Sequence, residues 1–166
     1  NQLNGKELSY NNYNDIFASL EILLSLEKSP STVIVKHGNP CGVSTNKSAL
    51  FSFKNAYASD PVSAFGGIIA CNFKINKMIA EEINKNFLEV ILARGFEKDA
   101  LKVLKNKKNL RIIDISKYKQ KNKTILKNFN GSFLIQDKDR LIFNRKDLKF
   151  VTKYKPTKNE LKEIEF

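Results

Sequence analysis

Four short apolar runs divide the first two thirds of the chain: TVIV at 32–35, IIACNF at 68–73, FLEVILA at 87–93 and LRIIDI at 110–115. Thr32 to Val35 shows no polar–apolar alternation, the mark of a strand covered on both faces of its sheet. The other three read as further strands, IIACNF also buried. Segments of helical length lie ahead of the first strand and between the others, at 14–27, 48–58, 76–86 and 97–107. In the first of these, Ile16, Leu20, Leu23 and Leu24 recur at helical spacing, Asn14 or Asp15 is placed to cap the start, and Ser29-Pro30 ends it. The helix at 48–58 stops before Asp60-Pro61, because proline disfavours helix at the residue ahead of it. Strands alternating with helices of this length predict βαβ units and a mostly parallel central sheet flanked by helices, an α/β fold.

Past Ser116 the texture changes. KYKQKNKTILKNFNG is polar and irregular, and GSFLIQ (131–136) and KFVTKY (149–154) are expected as strands of a small β-rich appendage. Pro156-Thr157 with Glu160 makes a capping box, so a helix is expected from Thr157 onward. The expected division is therefore 1–116 for the α/β part, 117–156 for the appendage and 157–166 for the start of a helix. The chain begins at Asn1 and its only methionine is Met78, which reads as part of a longer or trimmed protein.

With 42% hydrophobic residues the 166-residue chain can build a core. No run approaches the length of a membrane span, and no signal-peptide pattern opens the chain. Two cysteines, Cys41 and Cys71, are too few for a disulfide framework and point to a reducing compartment, the cytoplasm. The net charge of +12 raises a nucleic-acid reading, a lysine-rich binding module. Only four of the 29 basic residues are arginine, however, and the lysines are spread along the chain. Forked arginine contacts and clustered charge are what nucleic-acid sites favour. Neither nucleic acid nor membrane is the expected partner.

The chemistry-bearing residues gather at strand ends. In open α/β sheets ligands bind beyond the carboxyl ends of the strands, and Lys36 and His37, the only histidine, occupy that place after the first strand. A neighbouring cation favours the neutral imidazole that a general base needs, and a lysine can hold a developing oxyanion. Adjacent strand residues face opposite ways, so joint action requires the chain to be turning already at 36 or 37. In SDPVSAFGGIIA, Gly66-Gly67 permits positive φ and close backbone approach to a ligand, or simply a tight turn. Glu89 inside FLEVIL is either at an exposed edge or buried with a partner, and can anchor a ligand. Zinc nucleobase deaminases carry H-x-E and P-C-x-x-C. Here Asn39 stands two places after His37 and Ser44 where the second cysteine would fall, so no zinc is expected.

VKHGNPCGV, SDPVSAFGGIIA, FLEVILA and the opening GKELSYNNYND, with KKNLRIIDI, FLIQDKD and VTKYKPTKNEL further on, resemble AICAR transformylase in its bacterial form. That is the formyltransferase part of the bifunctional purine-biosynthesis enzyme that also has IMP cyclohydrolase activity. The resemblance implies a cytidine-deaminase-like layered fold without its zinc site, and transfer of a formyl group from 10-formyltetrahydrofolate, the co-substrate, to AICAR. It implies Lys36 and His37 as the catalytic pair, and Asn12, Gly66 and Glu89 as AICAR-contacting positions. It also implies a homodimer with shared active sites. Gly38 stands where the bacterial pattern usually has Asn. The family's phosphate-gripping segment would precede Asn1 and its second deaminase-like half would follow Phe166, so the 166 residues alone are expected to be inactive. A zinc-free degenerate deaminase is the competing enzyme reading on the same fold.

Overall fold

The computed structural model describes residues 1–26, 29–119, 124–139 and 145–164, and the end of the helix expected at 14–27 lies outside them. Two compact units form, Asn1–Lys119 and Gln120–Phe166.

The first unit is a six-stranded sheet between helical layers. Its elements in chain order are β1 (Gln2–Asn4), α1 (Tyr10–Ser25), β2 (Ser31–Lys36), β3 (Asn39–Thr45), α2 (Ala49–Ser59), α3 (Pro61–Ala64), β4 (Ile68–Cys71), α4 (Lys77–Asn84), β5 (Val90–Ala93), α5 (Lys98–Lys105) and β6 (Arg111–Asp114). The sheet order is β1-β6-β5-β4-β2-β3. β4, β5 and β6 pair in parallel, while β2 runs antiparallel to both β3 and β4, and β1 antiparallel to β6. Four strands, β3 to β6, thus share one direction, and β2 is threaded between them the other way.

Alternate side chains of the central strands enter two separate cores. Val33, Val35, Ile68, Ala70, Val90 and Leu92 pack with Ile16, Leu20 and Leu23 of α1. Ile34, Ile69, Cys71, Ile91, Ala93 and Ile112 pack on the opposite face with residues of α2, α4 and α5. Each fully buried aliphatic side chain contributes about 1.5–3 kcal/mol. Covering both faces is what removes alternation from the sequence of β2. Strand direction plays no part in it, which is why the unbroken apolar run is compatible with antiparallel pairing.

Several local expectations change. Ser9, not Asn14 or Asp15, caps α1: its hydroxyl accepts the Asn12 N–H, and the Asn12 side chain accepts the Ser9 N–H. This lengthens the helix by one turn at its start. After β2 the stretch GNPCG belongs mostly to a strand. The turn is confined to His37 and Gly38, and the rest enters β3, an edge strand that tolerates Pro40. The register jumps from Ile34↔Gly42 to Val35↔Pro40, which leaves Cys41 as a bulge residue. A Cβ at Gly42 would run into the Ala56 carbonyl oxygen, so glycine there lets α2 lie directly on β3.

In the second unit β7 (Thr124–Phe129) and β8 (Ser132–Asp137) form an antiparallel hairpin. β8 coincides with the strand expected at 131–136. β7 falls inside the stretch read as irregular, and 149–154 forms no strand. α6 (Lys158–Ile164) begins after Thr157, whose hydroxyl accepts the Glu160 N–H at 3.3 Å while the Glu160 carboxylate accepts the Thr157 N–H at 2.7 Å. That is the expected capping box.

Candidate active site

β2 and β3 are joined by a two-residue loop. His37 has φ 55° and Gly38 φ 76°, the sign pattern of a type I′ turn, and Lys36 pairs with Asn39 across it. Left-handed backbone costs a non-glycine residue about 1–2 kcal/mol. Asp15, from the second turn of α1, offsets this. Its Oδ2 accepts the His37 N–H at 3.2 Å and its Oδ1 the Gly38 N–H at 2.7 Å. The chain has left the strand at His37, so the alternation that would send residues 36 and 37 to opposite faces ends between them. Lys36 Nζ donates to the Phe65 carbonyl oxygen at 2.6 Å. An ammonium carries three N–H donors, which leaves two for a ligand.

The loop that Lys36 touches runs straight into the glycine pair. Gly66 has φ 75° and donates its N–H to Phe87 O at 2.9 Å. Gly67 donates to Ala64 O at 2.9 Å and accepts from the Glu89 N–H at 3.1 Å. A Cβ at Gly67 would lie 3.0 Å from Ala64 O and 3.1 Å from Val35 O, so glycine at this position lets the tight turn pass close to the protein's own backbone. Just upstream, Asp60 caps α3 by accepting the Ser63 N–H, and the Ser63 contacts hold its carboxyl below its ordinary value.

Glu89 lies one residue ahead of β5, not within it, and its side chain is 47% exposed. Its Oε2 accepts from Asn12 Nδ2 at 3.2 Å and lies 4.0 Å from Arg111 Nη1. The Arg111 side chain is largely buried and its Nε donates to Glu7 O at 3.0 Å. Beyond this group opens a cleft of about 490 Å³, with Phe87, Leu88 and Leu110 as apolar wall and Lys6, Lys107 and Arg111 as cations. Lys107 donates to Asn86 O at 2.6 Å, and burial lowers its pKa.

All five residues named from the sequence, Asn12, Lys36, His37, Gly66 and Glu89, come to one end of the sheet. Of these five, Asn12 and Glu89 are joined by a side-chain hydrogen bond. Lys36 is tied to that end through Phe65, His37 through Asp15 and Gly66 through Phe87. The end itself differs from the expected one. Because β2 is antiparallel to β4, the carboxyl end of β2 lies beside the amino ends of the parallel strands β4, β5 and β6. Asp15 and Arg111 were missed as site residues. Asp15 has the residue type of a helix cap, and Arg111 gave only the signal of a charged residue opening a strand after a basic run.

Both thiols are set for packing. Cys71 is fully buried and its pKa is pushed up to about 12 by burial, against a smaller opposing effect of the Thr32 hydroxyl. Cys41 is raised by burial, with Asp60 adding to the effect. Among the described residues no group of three or more His, Cys, Asp or Glu is gathered to hold a metal ion. No helix among them is long and apolar enough to cross a membrane.

The profile of a family described as the AICARFT/IMPCHase bienzyme matches residues 1–166. The chain belongs to that family. It is 45% identical over 168 residues to the bifunctional purine biosynthesis protein PurH of Acetivibrio thermocellus, covering 99% of this chain and 32% of that protein. PurH of a Thermoanaerobacter species is likewise 45% identical, over 165 residues with the same two coverages. The chain thus spans about a third of the length of these bienzyme relatives. Among solved structures, RibD of Acinetobacter baumannii overlays with a TM-score of 0.50 at 16% identity, over 63% of this chain and 36% of that one. That likeness concerns the α/β fold alone.

Proposed function

We propose that this chain is the Lys-His, AICAR-binding portion of a formyltransferase of de novo purine biosynthesis, working within a longer bifunctional protein. The observation that carries the reading is the His37-Gly38 turn, which delivers Lys36 and His37 to the sheet end where Gly66 and the Asn12–Glu89 pair also lie. In the reaction the 5-amino nitrogen of AICAR attacks the formyl carbon of 10-formyltetrahydrofolate. His37 takes a proton from that nitrogen. The two remaining N–H groups of Lys36 hold the formyl oxygen as it gains negative charge. The bond from the formyl carbon to N10 then breaks, N10 takes up a proton and tetrahydrofolate leaves. Asn12, Gly66 and Glu89 hold AICAR, Glu89 through its free carboxylate oxygen. The working form on this reading is a cytoplasmic homodimer with shared sites. Family membership supports the reading, as does the convergence of the five residues.

The test places His37→Ala and Lys36→Ala separately in the intact bifunctional protein. Each is expected to cut formyl transfer by at least ~10²-fold, the scale of a positioned base or oxyanion donor. Near-normal turnover of both, or deamination of cytidine or adenosine by the unmodified protein, overturns the assignment.

A further inference from the structure

We infer that Asp15 is a positioning residue for the Lys36–His37 pair: its carboxylate holds the β2–β3 turn in the left-handed form and so sets where the two side chains leave the hairpin. The inference rests on the proposed function and adds a residue to it. Type I′ turns favour Asn-Gly because both central residues need positive φ. This turn carries His at the first of those positions, a residue found at positive φ more often than most non-glycine residues but outside the favoured Asn-Gly pairing, so it still meets a steric cost there. The two turn N–H groups point away from the hairpin ladder. Each finds a separate oxygen of one carboxylate, at 3.2 and 2.7 Å, contributed by a helix 22 and 23 residues earlier in the chain.

The support is rigid. Ile16 and Ser19, which follow Asp15 in α1, are buried. Asn12, one helical turn before Asp15, donates to Glu89. One helix end therefore ties down both halves of the site, the Glu89 side through Asn12 and the Lys-His side through Asp15. Only a carboxylate performs the second task fully. An amide has one accepting oxygen, and its NH₂ group would face the other N–H donor.

The experiment compares Asp15→Asn, Asp15→Ala and His37→Ala in the intact bifunctional protein, alone and combined. For Asp15→Asn the expected result is a fall of about 10–100-fold in kcat for formyl transfer, the scale of a misplaced catalytic group. The KM for AICAR stays within about threefold, since the Asn12–Glu89 contact is untouched, and cyclohydrolase activity in the same sample is unchanged. Asp15→Asn added to His37→Ala should cost far less than it costs alone, because residues that act through one another are not additive. A merely structural role would leave the two effects additive, and that outcome overturns the inference. Asp15→Asn turning over within twofold of the unsubstituted protein while His37→Ala is inactive also overturns it, and leaves the proposed function standing. Full turnover by His37→Ala overturns the reading beneath it. Asn is isosteric with Asp, so that variant carries the test if Asp15→Ala does not fold.

Discussion

Asn12 Nδ2 donates to Glu89 Oε2 at 3.2 Å across 77 residues of chain, while Oδ1 of the same amide accepts the Ser9 N–H that begins α1. One buried side chain thus fixes both a helix start and the orientation of a carboxylate at the sheet end. Arg111 Nη1 lies 4.0 Å from the same carboxylate oxygen.

Glu89→Gln keeps an acceptor for Asn12 and removes the charge beside Arg111. We expect the KM for AICAR to rise about tenfold with a smaller change in kcat, the size of one lost charge-assisted hydrogen bond. Arg111→Lys, which loses the Nε contact with Glu7, should raise it in the same direction and add little to Glu89→Gln. Steady-state kinetics on the intact protein check this. A fall in kcat alone would move Glu89 to a catalytic role.

Two glycines should differ in what an added methyl costs. Gly42→Ala drives a Cβ into the Ala56 carbonyl between β3 and α2, where neither backbone can yield, and should cost about 3 kcal/mol or more. At Gly66 the nearest atom to an added Cβ is a Phe87 ring carbon at 3.5 Å, an ordinary contact. The cost there is the strained φ of 75°, about 1–2 kcal/mol. Urea unfolding of the purified variants measures both. A Gly66→Ala loss larger than that of Gly42→Ala would contradict the packing.

Cys71 makes stability depend on pH in the alkaline range. Its folded pKa of about 12 lies above the ordinary 9.0, so the folded state keeps a proton that the unfolded state gives up. Below pH 9 both states hold it and nothing is lost. Above pH 9 the unfolded state binds fewer protons, and stability falls by about 1.4 kcal/mol per pH unit from this group until the folded pKa is reached. The difference in urea midpoint between the unsubstituted protein and Cys71→Ala, followed from pH 8 to 10.5, isolates the effect. Parallel curves would show that the thiol is not shielded.

The β7–β8 hairpin should open most readily. Leu126, Phe129, Phe133, Leu134 and Ile135 are all exposed, and an isolated two-stranded hairpin is marginal in water. Amide exchange on the purified chain is expected to be orders of magnitude faster there than at Ile69 and Ile91, which sit in the doubly covered sheet. Equal protection would mean that another surface covers the hairpin.

What the sequence determined by itself is local or periodic. The alternation of α1, α2, α4 and α5 with β2, β4, β5 and β6, the double burial of β2 and β4, the helix start at Thr157 and the Lys-His pair at a strand end all follow from neighbouring residues. Propensity, capping and side-chain period act over a few positions, so they leave a mark that can be read. The tertiary structure decided matters of pairing. A strand has the same two-residue period in either direction, so the sequence of β2 could not show that it runs antiparallel to β4, nor that the site therefore lies at the amino ends of β4 to β6. Pro40 and Gly42 concealed an edge strand, because β3 is held by its ladder to β2 and by contact with α2 and not by its own propensity. Asp15 looked like a helix cap, since aspartate is as suited to that role as to any other. Its two acceptor oxygens found their donors only when the hairpin folded back onto α1.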